Sequence, residues 1–442
     1  TTTIASDLGF VTDGYNSQRK DAMSKPMANP LPRSRALAAL VVGVAILVAA
    51  CSGAAPDDAP TASTTEAPAP APANGDQATP GVFADRVLFG QSAAFSGPAQ
   101  ALGHSMRLGI EAAFHEQNQA GGVHGRMLEL VTLDDRYEPG FAFANTRDLI
   151  TKERVFALIG EVGTPTSRSA VPLAESRAVP FVAPFTGAGF LRDPDLNSVV
   201  NLRASYAQET EHMVERLTSD LGVTKVAVMY QNDSYGQSGL NGVTEALDKR
   251  GLAPVATWYY ERNSSAVKAA VFHIAAAQPE AVIFIGAYQP VAKAITLLRE
   301  DVDPVFMAVS FVGSNALAQE LGDDAGGVYV TQVVPIPDDA DTPVVADYRS
   351  AISEFDLDAV PGFVSLEGYL AGRLAIVALE TCGADLTREC FLGAFTELRS
   401  IDLSGVSLHY GPGDNQGSDE VLLTVINDEG RFVPAANLGD TQ

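Results

Sequence analysis

The chain has 442 residues, enough for two or three domains that each bury a core, and 46% of them are hydrophobic. Its 54 acidic residues outnumber 29 basic ones, and the formal charge of -25 excludes nucleic acid, because neutralising phosphate needs clustered Lys and Arg that are absent here. Such acidity suits a soluble, monomeric secreted protein, and the three cysteines match no zinc or haem spacing.

Along the chain, the first signal is an export signal. Arg33 and Arg35 precede an uninterrupted apolar run from Ala36 to Ala50. Fifteen residues are short for a membrane span, which needs ~20, but suit the core of a signal peptide. Residues 1–26 are polar, so translation is expected to start at Met23 or Met27. Val48-Ala49-Ala50-Cys51 resembles a bacterial lipobox, which implies cleavage before Cys51 and its lipidation. An uncleaved anchor is the alternative, and either places the body outside the cytoplasm on a membrane. Residues 1–50 are thus a leader. Residues 51–82, rich in Ala, Pro and Thr, carry too little apolar surface to order themselves and are expected to be a tether spanning about 30 Å.

From Arg86 onward, short β-rich runs alternate with amphipathic segments, the pattern of parallel sheets covered by helices. The first series predicts strands at 87–90, 128–133, 156–160 and 180–183, with helices over 104–119 and 167–177. A second series predicts helices over 205–221, 236–249, 265–277 and 290–300, with strands at 225–230, 253–259, 281–285 and 305–308. Helices over 342–355, 365–381 and 387–399 and a strand over 420–427 follow. The loops after the strands, 92–103, 161–166, 184–189, 231–237, 286–289 and 309–314, carry Ser, Thr, Tyr and Gly with almost no charge. Loops at the carboxyl ends of strands are where α/β sheets gather ligands, and these loops suit binding through hydroxyls and amides. Cys382 and Cys390 lie eight positions apart and can form a disulfide in an oxidising compartment, or remain two thiols near a helix.

Eight blocks in order carry a resemblance: Phe95-Ser-Gly-Pro98, Gly121-Gly-Val-His-Gly125, Asp134-Asp135, Leu158-Ile-Gly160, Pro184-Phe-Thr-Gly-Ala188, Asp233-Ser-Tyr-Gly236, Gly286-Ala-Tyr288 and Phe363-Val-Ser-Leu-Glu-Gly-Tyr369. Over residues 85–435 the chain resembles the branched-chain amino-acid-binding proteins, type I periplasmic binding proteins of ABC importers. The resemblance implies two Rossmann-like α/β lobes with parallel-sheet cores, joined by a three-crossover hinge near Arg203, near Gln332 and over 408–415. Lobe 1 would be 83–203 with 333–412, lobe 2 204–332 with 413–436, and 437–442 a tail. It further implies that Thr164 holds a ligand carboxylate, that the backbone of Phe185 meets its ammonium, and that Gly187 stands where a Thr also holds the carboxylate, with Thr186 able to take over. Tyr235 and Tyr288 would close over the ligand, Leu102 would stand where an aromatic is common, and Ser310, beside Phe311, would occupy the place of an acidic ammonium partner. That last departure leaves amino acids and other small carboxylates or amides open as ligands, with Glu161, Glu367 or Asp233 as substitute acids. The expected partners are a small ligand and the permease subunits of an ABC importer.

Each of these residues has a plainer reading: Thr164 and Thr166 as helix caps, Phe185, Tyr235 and Tyr288 as core aromatics, Asp134 and Asp135 as a turn. No cofactor or metal site is expected, and no nucleotide, zinc-protease, serine-hydrolase or calcium motif appears. A ligand-binding component of a sensory or chemotaxis system, or an extracytoplasmic enzyme on the same fold, are the competing functions.

Overall fold

The computed structural model describes residues 79–439. The apolar run at 36–50 and Cys51 lie outside the described residues. Elements alternate through the first half of the body: β1 (Arg86–Ala93), α1 (Gln100–Gln119), β2 (Met127–Asp134), α2 (Pro139–Thr151), β3 (Ala157–Ile159), α3 (Thr164–Ser176), β4 (Phe181–Val182) and β5 (Val199–Val200). The five strands form one sheet in the order β2-β1-β3-β4-β5, every pair parallel. Each parallel return needs a crossover, supplied by α1, α2 and α3 and, between β4 and β5, by a segment with a short 3₁₀ turn at Gly189–Arg192. The expectation for this region lacks α2, whose residues Pro139-Gly-Phe-Ala-Phe expose Phe141 and Phe143 and so blur an amphipathic pattern.

A second series follows: α4 (Tyr206–Leu221), β6 (Val226–Gln231), α5 (Ser234–Asp248), β7 (Ala256–Tyr260), α6 (Lys268–Ala276), β8 (Ala281–Ile285), α7 (Tyr288–Leu298), β9 (Val305–Ala308), α8 (Ser314–Leu321) and β10 (Val328–Gln332). Then come α9 (Pro343–Phe355), α10 (Phe363–Cys382), α11 (Arg388–Leu398), β11 (Ser400–Asp402), β12 (Ser407–His409), β13 (Leu422–Ile426) and β14 (Phe432–Pro434). The second sheet runs β14-β13-β10-β9-β8-β6-β7. Its core is parallel, but β13 and β14 add on antiparallel, so the sheet is mixed at that edge.

Helices α9 and α10 return to the first sheet and pack on α1. The α1–α10 crossing is close because both partners lack side chains there. A Cβ at Gly109 would lie 1.9 Å from the Ser365 carbonyl oxygen, and one at Gly368 would lie 2.3 Å from that of Met106. The chain passes between sheets at 201–205, 333–342 and 410–421, and two of these passages pair with each other. Asn201 N donates to Asn415 O at 2.8 Å, and Gly417 N to Asn201 O at 2.9 Å.

Two expected boundaries are corrected. Residues 79–82 belong to the folded body and not to a tether: Val82 bridges to Val87, and Gly81 O accepts from Leu88 N at 2.8 Å. The end of the chain is likewise no free tail up to residue 439, since Leu438 is buried and its N donates to Asp220 Oδ2 at 2.9 Å. In both places a few contacts outweigh a polar composition, which carries no signal of them. Cys382, ending α10, and Cys390, in the first turn of α11, are joined in a disulfide with Cα atoms 5.8 Å apart. Among the described residues no helix is long and apolar enough to cross a membrane.

Candidate ligand cleft

Thr164 opens α3 directly after β3, so its side chain stands at a helix N-terminus, where unpaired amides and the helix dipole favour an anion. Its Oγ1 lies 2.7 Å from Thr186 Oγ1, which donates to the Tyr206 hydroxyl at 3.3 Å. All three are fully buried. Burial raises the Tyr206 phenol to about 12 against the pull of the neighbouring Arg203, so it stays a neutral hydroxyl that accepts from Thr186. The result is a triad of hydroxyls from α3, the loop after β4, and the start of α4.

Tyr206 is absent from the residues expected from sequence, and Gly187 explains its presence. A Cβ at Gly187 would lie 2.7 Å from both Cδ1 and N of Tyr206. The missing side chain at 187 therefore admits the tyrosine, and the Gly187 carbonyl accepts its amide at 2.7 Å. Gly187 contributes space and backbone, while the hydroxyl arrives from the next element. The signal for Tyr206 is local: Ser205 and Gln208 form a capping box that fixes where α4 begins.

Around this triad stand aromatic rings from both sheets. Phe311 lies 4.6 Å from Tyr235, 5.2 Å from Phe185, 6.1 Å from Tyr137 and 6.5 Å from Tyr206, centroid to centroid. Tyr235 is also 5.4 Å from Tyr206, and its hydroxyl donates to Gly286 O at 3.3 Å. These separations are those of tilted and edge-to-face aromatic pairs. Phe185 takes part with its ring as well as with its backbone, which donates to Glu161 O at 2.7 Å. Depressions of about 250 Å³ beside Tyr410 and about 350 Å³ beside Phe363 lie outside this box. Hydroxyls, rings and a helix N-terminus converge at the box.

Tyr288 and Leu102 form a neighbouring group. The Tyr288 hydroxyl accepts from Ala101 N at 3.4 Å, and a Cβ at Gly313 would lie 2.5 Å from Leu102 Cδ2. Ser310 is committed elsewhere. Its Oγ accepts from Arg203 Nη2 and donates to Glu209 Oε1 at 3.0 Å, while its amide donates to Glu209 Oε2 at 2.8 Å. Thr331 Oγ1 adds a bond to Glu209 Oε2 at 2.6 Å. Arg203 Nη2 reaches Glu209 Oε1 at 3.0 Å, and Nη1 reaches Glu367 Oε2 at 3.5 Å. Burial raises Glu367 to about 7, with Arg203 pulling it back down. Glu209, on α4, is absent from the residues expected from sequence, because its partners Arg203, Ser310 and Thr331 come from the crossing at 201–205, a short 3₁₀ turn at 310–312 and β10. Arg192 secures the Thr186 loop, donating to the carbonyls of Thr186 at 3.2 Å, Ala188 at 3.0 Å and Arg203 at 2.9 Å.

Asp134 and Asp135 build a loop. Their Oδ1 atoms accept from Arg136 N at 3.0 Å and Tyr137 N at 2.8 Å, holding both residues left-handed at φ 55° and 58°. This conformation is costly for non-glycine residues and recurs at functional sites. Here it turns Tyr137 onto Phe311. Ser92 Oγ donates to Asp135 Oδ2 at 2.8 Å. Glu161 is buried with both carboxyl oxygens lacking a protein partner, and burial, then the nearby Asp135, raises its pKa well above the ordinary range. Asp233 is occupied by Gln231, Arg262 and the amide of Tyr235. Among the described residues no group of His, Cys, Asp and Glu is arranged to hold a metal ion.

A model of the periplasmic binding protein family matches residues 87–431, which include every element of this cleft. A solved structure titled as a possible leucine/isoleucine/valine-binding protein from Rhodopirellula baltica SH 1 superposes with a TM-score of 0.75 at 38% identity, covering 81% of this chain and 98% of that one. The amino acid binding protein of Pseudomonas aeruginosa is 23% identical over 301 residues, 68% of this chain and 79% of that protein. The Leu/Ile/Val-binding protein homolog 7 of Brucella abortus is 27% identical over 206 residues, 45% of this chain and 51% of that relative. With two α/β sheets joined by paired crossings and a family match spanning residues 87–431, the chain belongs to the periplasmic binding protein family.

Proposed function

We propose that this chain captures a small carboxylate-bearing solute, an amino acid or a related acid or amide, in the box formed by Thr164, Thr186, Tyr206, Phe185, Tyr235 and Phe311, and delivers it to an ABC importer. As a periplasmic binding protein it works outside the cytoplasm. The single observation behind the ligand class is the buried hydroxyl triad at the N-terminus of α3, which offers donors and a favourable dipole to an anion. The rings suit an apolar body on the same molecule. Because Phe311 packs against Phe185 and Tyr235, a guest enters when the sheets move apart and the rings separate. Tyr288 and Leu102 line the approach. Lipidation of Cys51 would hold the receptor at the membrane as a monomer beside its permease. The relatives above are named as amino-acid-binding proteins, which supports a binding role over an enzymatic one.

A melting-temperature screen against branched-chain amino acids, aromatic acids and small amides tests the reading. A ligand at a hundred times its dissociation constant adds about 2.7 kcal/mol. Thr164→Ala is expected to weaken a hit about tenfold, the worth of one buried hydrogen bond, while the unliganded fold stays intact. Unchanged affinity would place the ligand elsewhere, and turnover of a bound compound would replace the receptor reading with an enzymatic one.

A further inference from the structure

We infer that Glu138 on the first lobe and the adjacent Arg262 and Asn263 on the second form a latch that sets how long the cleft stays closed. Arg262 Nη2 donates to Glu138 Oε2 at 2.8 Å, and Asn263 Nδ2 donates to Glu138 Oε1 at 2.8 Å and to the Arg136 carbonyl at 3.1 Å. Arg262 is itself aimed by Asp233, whose Oδ2 accepts from Nη1 at 3.2 Å. Other polar bonds between the lobes away from the crossings are longer and carry no charge pair: Gln231 to the Tyr137 hydroxyl and Ala101 to that of Tyr288 are both 3.4 Å, and Phe363 N to Asn315 Oδ1 is 3.1 Å. The Glu138 bonds are short and charge-assisted, and such bonds are the stronger kind.

The backbone supports this role. Glu138 follows directly on the two left-handed residues Arg136 and Tyr137, and Asn263 is left-handed too, at φ 56°. One strained loop therefore turns Tyr137 inward onto the rings and presents Glu138 to the opposite lobe. Closing the latch and closing the box are one movement. Side-chain exposures of 39% for Glu138 and 22% for Arg262 keep the pair at the rim, where it can break and reform without burying a lone charge.

The latch rests on the receptor reading, but its test uses the ligand-free chain and so fails independently of any ligand screen. Hydrogen exchange is followed in wild type, Glu138→Gln, Arg262→Met, the double variant, and Arg86→Met, which removes a pair within the first sheet. Opening of the cleft is read from peptides covering 184–188 and 308–314, remote in sequence from the latch. Glu138→Gln and Arg262→Met should each speed exchange there about three- to tenfold, with the double variant no faster than the worse single one and Arg86→Met unchanged. Unchanged exchange in those peptides, or faster exchange confined to 134–140 and 261–264, would show that the bonds only shape their own loops. An equal effect of Arg86→Met would also overturn the latch.

Discussion

Arg203→Met is expected to lower the free energy of unfolding by about 3–5 kcal/mol, the usual cost of removing one partner of a buried ion pair. Arg203 and Glu209 are fully buried, and Glu367 nearly so. Without the guanidinium, Glu209 keeps Ser310 and Thr331 as donors but is left as a buried carboxylate without its cation. Denaturant titration of the variant checks the size. Glu367→Gln provides the contrast: burial already raises this carboxyl to about 7, so making it permanently neutral near pH 6 should cost under about 1.5 kcal/mol. Equal losses in both variants would mean that the hub works by packing and not by charge. Because the hub ties α4 to α10 beside the first crossing, Arg203→Met should also loosen the hinge.

The second large effect is a pH dependence. Burial raises Asp135 to about 7, opposed by hydrogen bonds from Ser92 and the Tyr137 amide, and burial raises Glu161 well above its ordinary value. In both, the proton is held more tightly in the folded chain than in the unfolded one. Their contribution to stability is therefore complete below the ordinary carboxylate range near 4 and is lost as pH rises through the folded value, about 7 for Asp135. Glu161→Gln removes one of these titrations and leaves that of Asp135 in place. Relative to wild type, the variant should become progressively more stable as pH rises from 5 to 8.5, because it has no Glu161 proton to lose. Denaturation midpoints across that range measure it, and parallel pH profiles for the two proteins would show that Glu161 is solvated or paired when folded.

How far the sequence led depended on whether a feature was local. Alternating β-rich and amphipathic runs specified two α/β series because side-chain periodicity reports which face of an element is buried. The strand-end loops with almost no charge pointed to where a ligand would gather, while Thr164, Thr186 and Tyr235 within them were singled out by the family resemblance. The helix α2 was missed where exposed phenylalanines hid its polar face, and β10, β11, β12 and β14 were missed because short apolar runs lack a period of their own.

What the sequence by itself determined was the class of the fold, the uncharged character of its loops and the positions where they fall, all consequences of period and composition. Tertiary structure alone decided that Tyr206 fills the space left by Gly187, that Ser310 and Arg203 saturate Glu209, and that Glu138 meets Arg262 and Asn263 across the cleft. Each of these joins residues far apart along the chain or depends on an atom that is missing. Linear spacing carries no record of such distances until both sheets have folded and closed on each other.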